Sequence, residues 1–377
     1  MRIAVDATAV RSLNHGIGTY VANLLVNLVE VELDNFYLVY MNRAAIRDYS
    51  VLAFSPDRIH FAPVTSNRPL RLLQEQLLMS RSAAGRNAAL FWGCHNTLPA
   101  VRACPQVVTI HDLGMITVPQ FYPRAKVAYF RWAITRAVER AAVIVAVSEF
   151  TRAELVRVLG VPETRIKVVL CGIGSQFRRI DDSERITYVR HKYRLPAQYI
   201  FALGVPEPKK NLERLILAYA ELKRIRRDAP RLVIGGGRSY GWQNGPIFRT
   251  AETLRDDVLF TDFITHDELP IIYSLADMFV FPSLYEGFGV PPIEAMACGA
   301  PVITSNAASL PEVTGGAALL VNPLSEEEIT AAMVRLLDDA QLRMTLRERG
   351  LANAQRFNWR SAASKMIGIF REAAEAE

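Results

Sequence analysis

One stretch limits what this chain can fold into more than any other: residues 278–299, MFVFPSLYEGFGVPPIEAMACG. It opens on an apolar run that reads as a buried parallel strand. A glycine-bracketed turn follows, Gly287-Phe288-Gly289. PPIEAMACG then begins a helix, since Pro291 and Pro292 suit a first turn and Gly299 suits its stop. A strand end, a closely approaching backbone and a helix N-terminus converge on one place, which is a ready anion site. Glu286 and Glu294 frame it. A bare phosphate does not call for two neighbouring carboxylates. A sugar nucleotide does, because its diphosphate takes amides while its hydroxyls take carboxylate acceptors. The plainer alternative makes Glu286 a solvated loop charge and Glu294 a charge complementing the helix dipole. Spacing alone leaves both open.

The rest of the chain repeats the same strand-then-helix pattern. RIAVDAT, YLVYMN, IHFAPV, AALFWG, VVTIHDL, AAVIVAVS and IKVVLCGIG read as seven strands in residues 1–172. YIFALG, RLVIGGG, VLFTDF, MFVFPS, PVITSN and AALLVNP read as six in residues 199–322. Alternation with helical patterns predicts two α/β domains, each with a parallel sheet. A chain of 377 residues suits two such domains. The expected bounds are 1–180, with a helix from residues 359–377 returning to it, and 190–358. The polar stretch 175–196 reads as the linker.

Several residues stand at positions where parallel sheets do chemistry. Gly16 and Gly18 form a flexible turn after the first strand, with helical spacing from Thr19. The third glycine of a dinucleotide fingerprint is missing, which argues against a dehydrogenase. His111 and Asp112 end a buried strand at its carboxyl end. Lys209 and Lys210 precede a helix, where a cation opposes the dipole unless an anion is bound there. Ser148 reads as an N-cap, and Ser325 with Glu328 as a capping box. The helical stretches RPLRLLQEQLLMSRSA, with Arg68, Arg71 and Arg81, and FYPRAKVAYFRWAITRAVERA are basic and amphipathic. The first is expected to pack on the sheet.

Charge is uneven. Residues 1–180 hold 21 Lys and Arg against 12 Asp and Glu, and the remainder holds 23 against 26. An anionic membrane surface or lipid-linked substrate suits the basic first half. No zinc-finger spacing, RNP run or Lys-rich tail accompanies it, so no nucleic-acid partner is expected. The four cysteines are scattered and suit free thiols in a reducing cytosol. The opening MRIAVDATAV reads as a strand, not a signal peptide, and no apolar run reaches the ~18 residues a membrane span needs.

EGFGVPPIEAMACGAPVITSN resembles the signature of family-4 retaining glycosyltransferases, which have the GT-B fold: two Rossmann-like parallel-sheet domains facing a cleft. That family spaces its two glutamates eight positions apart, as Glu286 and Glu294 are. The resemblance implies that Glu286 lies near the donor-sugar hydroxyls and Glu294 on the nucleotide ribose. It implies that the Gly16–Gly18 loop approaches the donor phosphates and that His111 lines the donor-sugar end. Gly204, Lys209 and Lys210 would meet the diphosphate, and the turn at Phe263 and Ile264 the base. Gly287, Phe288, Gly289 and Val290 would supply backbone around the donor. This chain departs from the pattern at Val205, where the family commonly has Arg, which leaves neutralisation to the two lysines and backbone donors.

Glu286, His111 and Lys210 are therefore the candidate catalytic residues. No Asp-x-Asp is present, so no metal or other cofactor is expected beyond the nucleotide-sugar co-substrate. SLYEGFGVPPIEAMACGAPVITSN and LPEV are most similar to bacterial mannosyltransferases of polysaccharide biosynthesis. GDP-mannose is thus the expected donor, with a glycan or lipid-linked saccharide as acceptor. The alternatives are another donor such as UDP-glucose, or a sugar-nucleotide epimerase of the same fold. A non-catalytic binding protein on this scaffold is expected to carry an export signal. The expected location is cytoplasmic, peripheral on the inner face of the membrane.

Overall fold

The computed structural model describes residues 1–10, 16–49, 57–205, 207–236, 254, 256–261 and 263–375. The chain divides into two compact units: Met1–Gly172 with Asn358–Glu377, and Ile173–Phe357.

The first unit is built on a seven-stranded sheet. Its strands are β1 (Arg2–Asp6), β2 (Phe36–Asn42), β3 (Ile59–Val64), β4 (Leu90–Gly93), β5 (Gln106–Ile110), β6 (Val143–Ala146) and β7 (Ile166–Val168). They run in the order β3-β2-β1-β4-β5-β6-β7, and every pairing is parallel. β4, β5 and β6 are buried along their whole length. That is why β4 and β6 read as apolar runs and not as alternating ones, while β5 buries Gln106 and Thr109 among its apolar residues. The helix Trp359–Glu375 completes this unit, packing on the helix Gly16–Val31. Trp92 and Phe370 meet at 5.5 Å between ring centroids. Gly172 has no room for a side chain, because a Cβ there would lie 2.5 Å from Trp359.

The second unit has a six-stranded sheet: β8 (Tyr199–Leu203), β9 (Arg231–Gly235), β10 (Val258–Phe260), β11 (Met278–Phe281), β12 (Val302–Ser305) and β13 (Ala318–Val321). The order is β10-β9-β8-β11-β12-β13, again all parallel. One face buries an aromatic-rich cluster around Phe201, Tyr273, Phe279 and Phe281. The other buries Leu215, Tyr219, Ile303 and Met333.

Four sequence expectations need correction. The first unit closes at Gly172, not at 180, because Ile173, Phe177 and Ile180 pack on the core of the second unit. The polar stretch 175–196 is no plain linker. It contains the helix Ser183–Tyr193, capped by the Asp182 side chain on the N–H groups of Glu184 and Arg185, with Val189 and Tyr193 in the core. The helix expected from Thr19 begins at Gly16, so Gly16 and Gly18 lie in its first turn. The stretch RPLRLLQEQLLMSRSA is not one continuous α-helix: a π-helical turn, Gln74–Leu78, separates Arg68–Leu73 from Met79–Ala84. Met79 and Ala83 are buried as expected, but Leu70, Leu73, Leu77 and Leu78 are exposed, so these four leucines do not pack on the sheet.

The caps follow the sequence more closely. Ser148 Oγ accepts from Thr151 N at 3.0 Å. Ser325 Oγ accepts from Glu328 N at 3.1 Å, but the Glu328 carboxylate reaches back to Asn322 N at 2.7 Å and not to the cap residue. Among the described residues no helix is long and apolar enough to cross a membrane.

Candidate active site

In the second sheet the strand order reverses between β8 and β11. Parallel α/β sheets bind ligands outside the carboxyl ends of strands at such a point. β8 leads through Gly204 to a 3-10 turn, Pro208–Lys210, and then to the helix Leu212–Ile225. β11 leads through Ser283 and Glu286 to the helix Val290–Ala297. The two connections lock together. Leu284 N donates to Lys209 O at 2.7 Å, and Asn211 Nδ2 donates to Pro282 O at 3.0 Å.

Lys210 and Glu286 meet at the centre. Lys210 Nζ donates to Glu286 Oε1 at 2.6 Å, and Ser283 Oγ lies 2.7 Å from the same oxygen. The ammonium also sits 5.0 Å from the Phe281 ring centroid, a cation–π contact. Burial pushes the Glu286 pKa up. The charges of Lys210 and Lys209 and the bonds from Lys210 and Ser283 outweigh it, so the carboxyl stays below its ordinary value. Lys209 lies alongside, 3.8 Å from Glu207.

The turn itself is held from below. Ser309 Oγ lies 2.9 Å from Glu286 O and 2.7 Å from Phe288 O, one hydroxyl shared by two carbonyls. Gly289 has φ +94°, and a Cβ there would lie 2.5 Å from Leu310 Cδ2, so both backbone and space demand glycine. The helix ends as the sequence implies, with Gly299 left-handed at φ +82°.

Glu294 sits in the helix Val290–Ala297, buried beneath the turn. Among the described residues no cation pairs with it. Burial pushes its pKa up to about 8, opposed by the Tyr273 hydroxyl, 3.4 Å from Oε2. The two glutamates therefore differ in charge at neutral pH: Glu286 is ionised and ion-paired, Glu294 is neutral.

The remaining expected residues divide. A Cβ on Gly204 would lie 3.5 Å from Lys210 Cβ, so this glycine belongs to the same corner. Phe288 does not present its ring: it is buried edge-on to Phe357 at 5.7 Å, and only its backbone is offered. Ile264 likewise points into the core, while Phe263 is half exposed. Val290 opens the helix behind Gly289.

His111, Gly16 and Gly18 belong to the first unit. His111 Nε2 lies 2.8 Å from Cys94 O, and since a carbonyl only accepts, that nitrogen carries the proton. Burial lowers the His111 pKa, which keeps the ring neutral and leaves Nδ1 as an acceptor. Tyr20 packs edge-on against it at 4.7 Å.

Sequence reasoning missed Ser283, Asn211, Ser309 and Tyr273. Ser283 stands three before Glu286 and Asn211 directly after the lysine pair, so proximity was visible. Ser309 and Tyr273 come from other elements, with no local signal.

Two family patterns match this chain: "Glycosyltransferase Family 4" over residues 15–177 and "Glycosyl transferases group 1" over residues 190–352. The O-antigen chain mannosyltransferase B of Escherichia coli is 34% identical over 268 residues, 70% of each chain. The serotype-specific mannosyltransferase WbdA of Escherichia coli is 37% identical over 236 residues, which is 62% of this chain and 29% of that protein. Among solved structures, sucrose-phosphate synthase from Thermosynechococcus elongatus superposes with a TM-score of 0.78 at 23% identity, covering 100% of both chains. The two parallel sheets, the signature around Glu286 and Glu294, and these similarities agree: the chain belongs to the family-4 glycosyltransferases and has the GT-B fold.

Proposed function

We propose that this glycosyltransferase moves mannose from GDP-mannose, with retention of configuration, to a glycan or lipid-linked saccharide in bacterial polysaccharide or glycolipid assembly. The observation that carries the reading is the Lys210–Glu286 pair at the reversal of the second sheet. A pyrophosphate is a strong competitor for Lys210 and Lys209, and the connection that carries Glu286 continues through the Gly287–Gly289 turn into a helix N-terminus, a chemistry suited to an anion. Stabilisation of the leaving diphosphate then falls to fixed donors, with no metal required.

Glu286 is ionised, with Oε1 engaged by Lys210 and Ser283. It suits orienting the donor sugar and stabilising positive charge at the anomeric carbon. The acceptor hydroxyl hands its proton to the departing phosphate on the same face. Glu294 takes the ribose hydroxyls. Neutral His111 keeps Nδ1 as an acceptor suited to a sugar hydroxyl. The similarity to mannosyltransferases supports the donor.

Membrane contact forms part of the reading. Leu70, Leu73 and Leu77 are exposed at helical spacing, with Leu78 beside them, on a unit with excess positive charge. Such a face suits the surface of an anionic bilayer.

The test is a thermal-shift panel of GDP, UDP, ADP and TDP, with and without EDTA. A ligand that binds only the native state stabilises it, by about 2.7 kcal/mol at 100 times Kd. GDP is expected to give the largest rise, unchanged by EDTA. A rise with UDP alone moves the donor to a UDP-sugar, and no rise with any nucleotide rejects the site.

A further inference from the structure

β10 ends at Phe260, and the chain reaches the helix Leu269–Leu275 through a turn at residues 263–268. This turn lies next to the corner that carries Lys210. Gly204, against Lys210, donates its N–H to Gly235 O at 3.0 Å. A Cβ on Gly236, at φ +127°, would lie 2.5 Å from Gly204 O, and one on Gly235 would lie 2.7 Å from Ile264 Cδ1. Two glycines at the end of β9 thus let the Gly204 corner and the turn approach the same backbone. Ile264 plugs the turn into the core, while Phe263 keeps 52% of its surface exposed. An exposed aromatic ring beside an anion site offers a face to a planar base.

Glu268 closes the turn at the head of the helix, yet its side chain makes no capping bond. Its carboxylate reaches another element, the helix Ser183–Tyr193. Lys192 Nζ donates to Oε1 at 2.7 Å and to Oε2 at 2.8 Å, and the Tyr193 hydroxyl donates to Oε2 at 2.6 Å. Thr265 Oγ1, inside the turn, lies 2.8 Å from the same Oε2. The Tyr193 oxygen is also 3.5 Å from Phe263 O. Burial pushes the Glu268 pKa up, and the bonds from Lys192, Tyr193 and Thr265 outweigh it, so the carboxylate is ionised.

A lysine–carboxylate pair near the surface stabilises little by itself. This one is part of a network, and the network has a fixed end. Tyr193 belongs to the same buried cluster as Ile264, so the carboxylate is tied to a ring that the core holds still. Each of these bonds either closes the turn on itself or fastens it to the neighbouring helix.

We propose that Glu268, with Tyr193 and Lys192, is a positioning residue: it fixes the turn at residues 263–268, and the fixed turn sets which nucleobase the donor site accepts. Glu268 is occupied by its own partners and acts through the turn, not by touching the nucleotide. The proposal rests on the donor-site reading above, since it takes the nucleotide to lie in the second unit with its base at Phe263.

Calorimetric titration of the full chain with GDP, UDP, ADP and TDP tests it, in the wild type, Tyr193→Phe and Glu268→Ala. Tyr193→Phe keeps the ring in the core and removes only the hydroxyl. The wild type is expected to bind one nucleotide more tightly than the others, on the order of tenfold or more. Both variants are expected to narrow that ratio about tenfold, the order of one lost hydrogen bond to a charged group, through weaker binding of the favoured nucleotide. A merely structural role would lower stability and leave the ratio alone. Equal weakening of all four nucleotides, a ratio unchanged in both variants, or a wild type without base preference overturns the proposal. No binding of any nucleotide to the wild type overturns the donor-site reading instead, so the two failures are told apart.

Discussion

Lys210 Nζ and Glu286 Oε1 lie 2.6 Å apart, and both side chains are mostly withdrawn from water. A pair in that situation is held by mutual charge, and removing one member strands the other in an apolar surround. In the proposed function the same cation meets the incoming diphosphate. The site is thus charged in advance, with its acid partner already in place.

Lys210→Ala is expected to slow transfer on the order of 100-fold or more, the usual loss for one preorganised donor. Glu286 loses its main compensating charge, so its pKa rises and the activity optimum moves to higher pH. Steady-state rates at saturating donor across pH 5.5–9 read both effects. Kinetics equal to wild type would remove Lys210 from the site.

Glu294 makes a prediction about stability. Its pKa in the folded chain is about 8, above its ordinary value of 4.5. Between those values the unfolded chain ionises while the folded one stays protonated, so the folded state loses ground as pH rises. Glu294→Gln escapes that loss. The variant is expected to unfold at higher urea than wild type, with a gap that grows from pH 5 to 8 and levels off above. A shift of that size corresponds to at most roughly 5 kcal/mol. A gap independent of pH would mean that Glu294 is ionised in the fold.

Gly289→Ala tests the turn. A non-glycine residue at φ +94° with Leu310 Cδ2 at 2.5 Å carries a cost of about 1–3 kcal/mol and displaces the backbone. A lower melting temperature together with a lost nucleotide shift is expected. Wild-type nucleotide binding in this variant would show that the turn amides are not part of the grip.

The exposed leucines make a prediction at the bilayer. Flotation with phosphatidylglycerol-containing liposomes is expected at low salt and to weaken at high salt, as exposed charges are screened. Replacing Leu70, Leu73, Leu77 and Leu78 with Ser is expected to abolish it. No flotation of the wild-type chain at either salt sinks the membrane reading.

Much of the fold was legible because the informative residues are neighbours in sequence. Buried parallel strands such as VIVA and MFVF announce themselves as apolar runs, and Pro291, Pro292 and Gly299 mark a helix start and stop. Ser148 and Ser325 declared their caps three residues ahead. What stayed hidden depends on register or on distant partners. Glu75 is buried in a π turn that no local pattern announces. Tyr273 meets Glu294 across 21 positions, and Ser309 reaches Glu286 across 23. The charge state of the two glutamates was equally out of reach, since it is set by Lys210 for one and by burial for the other.

The helix Trp359–Glu375 belongs to the unit that begins at Met1, yet it is synthesised only after the entire second unit. A nascent chain paused after Gly172 has all seven strands of the first sheet but lacks the layer that brings Phe370 to Trp92. Until that helix is made, the surface it covers around Trp92 lacks its final layer. Completion of the earlier-made unit thus depends on the last segment to be synthesised.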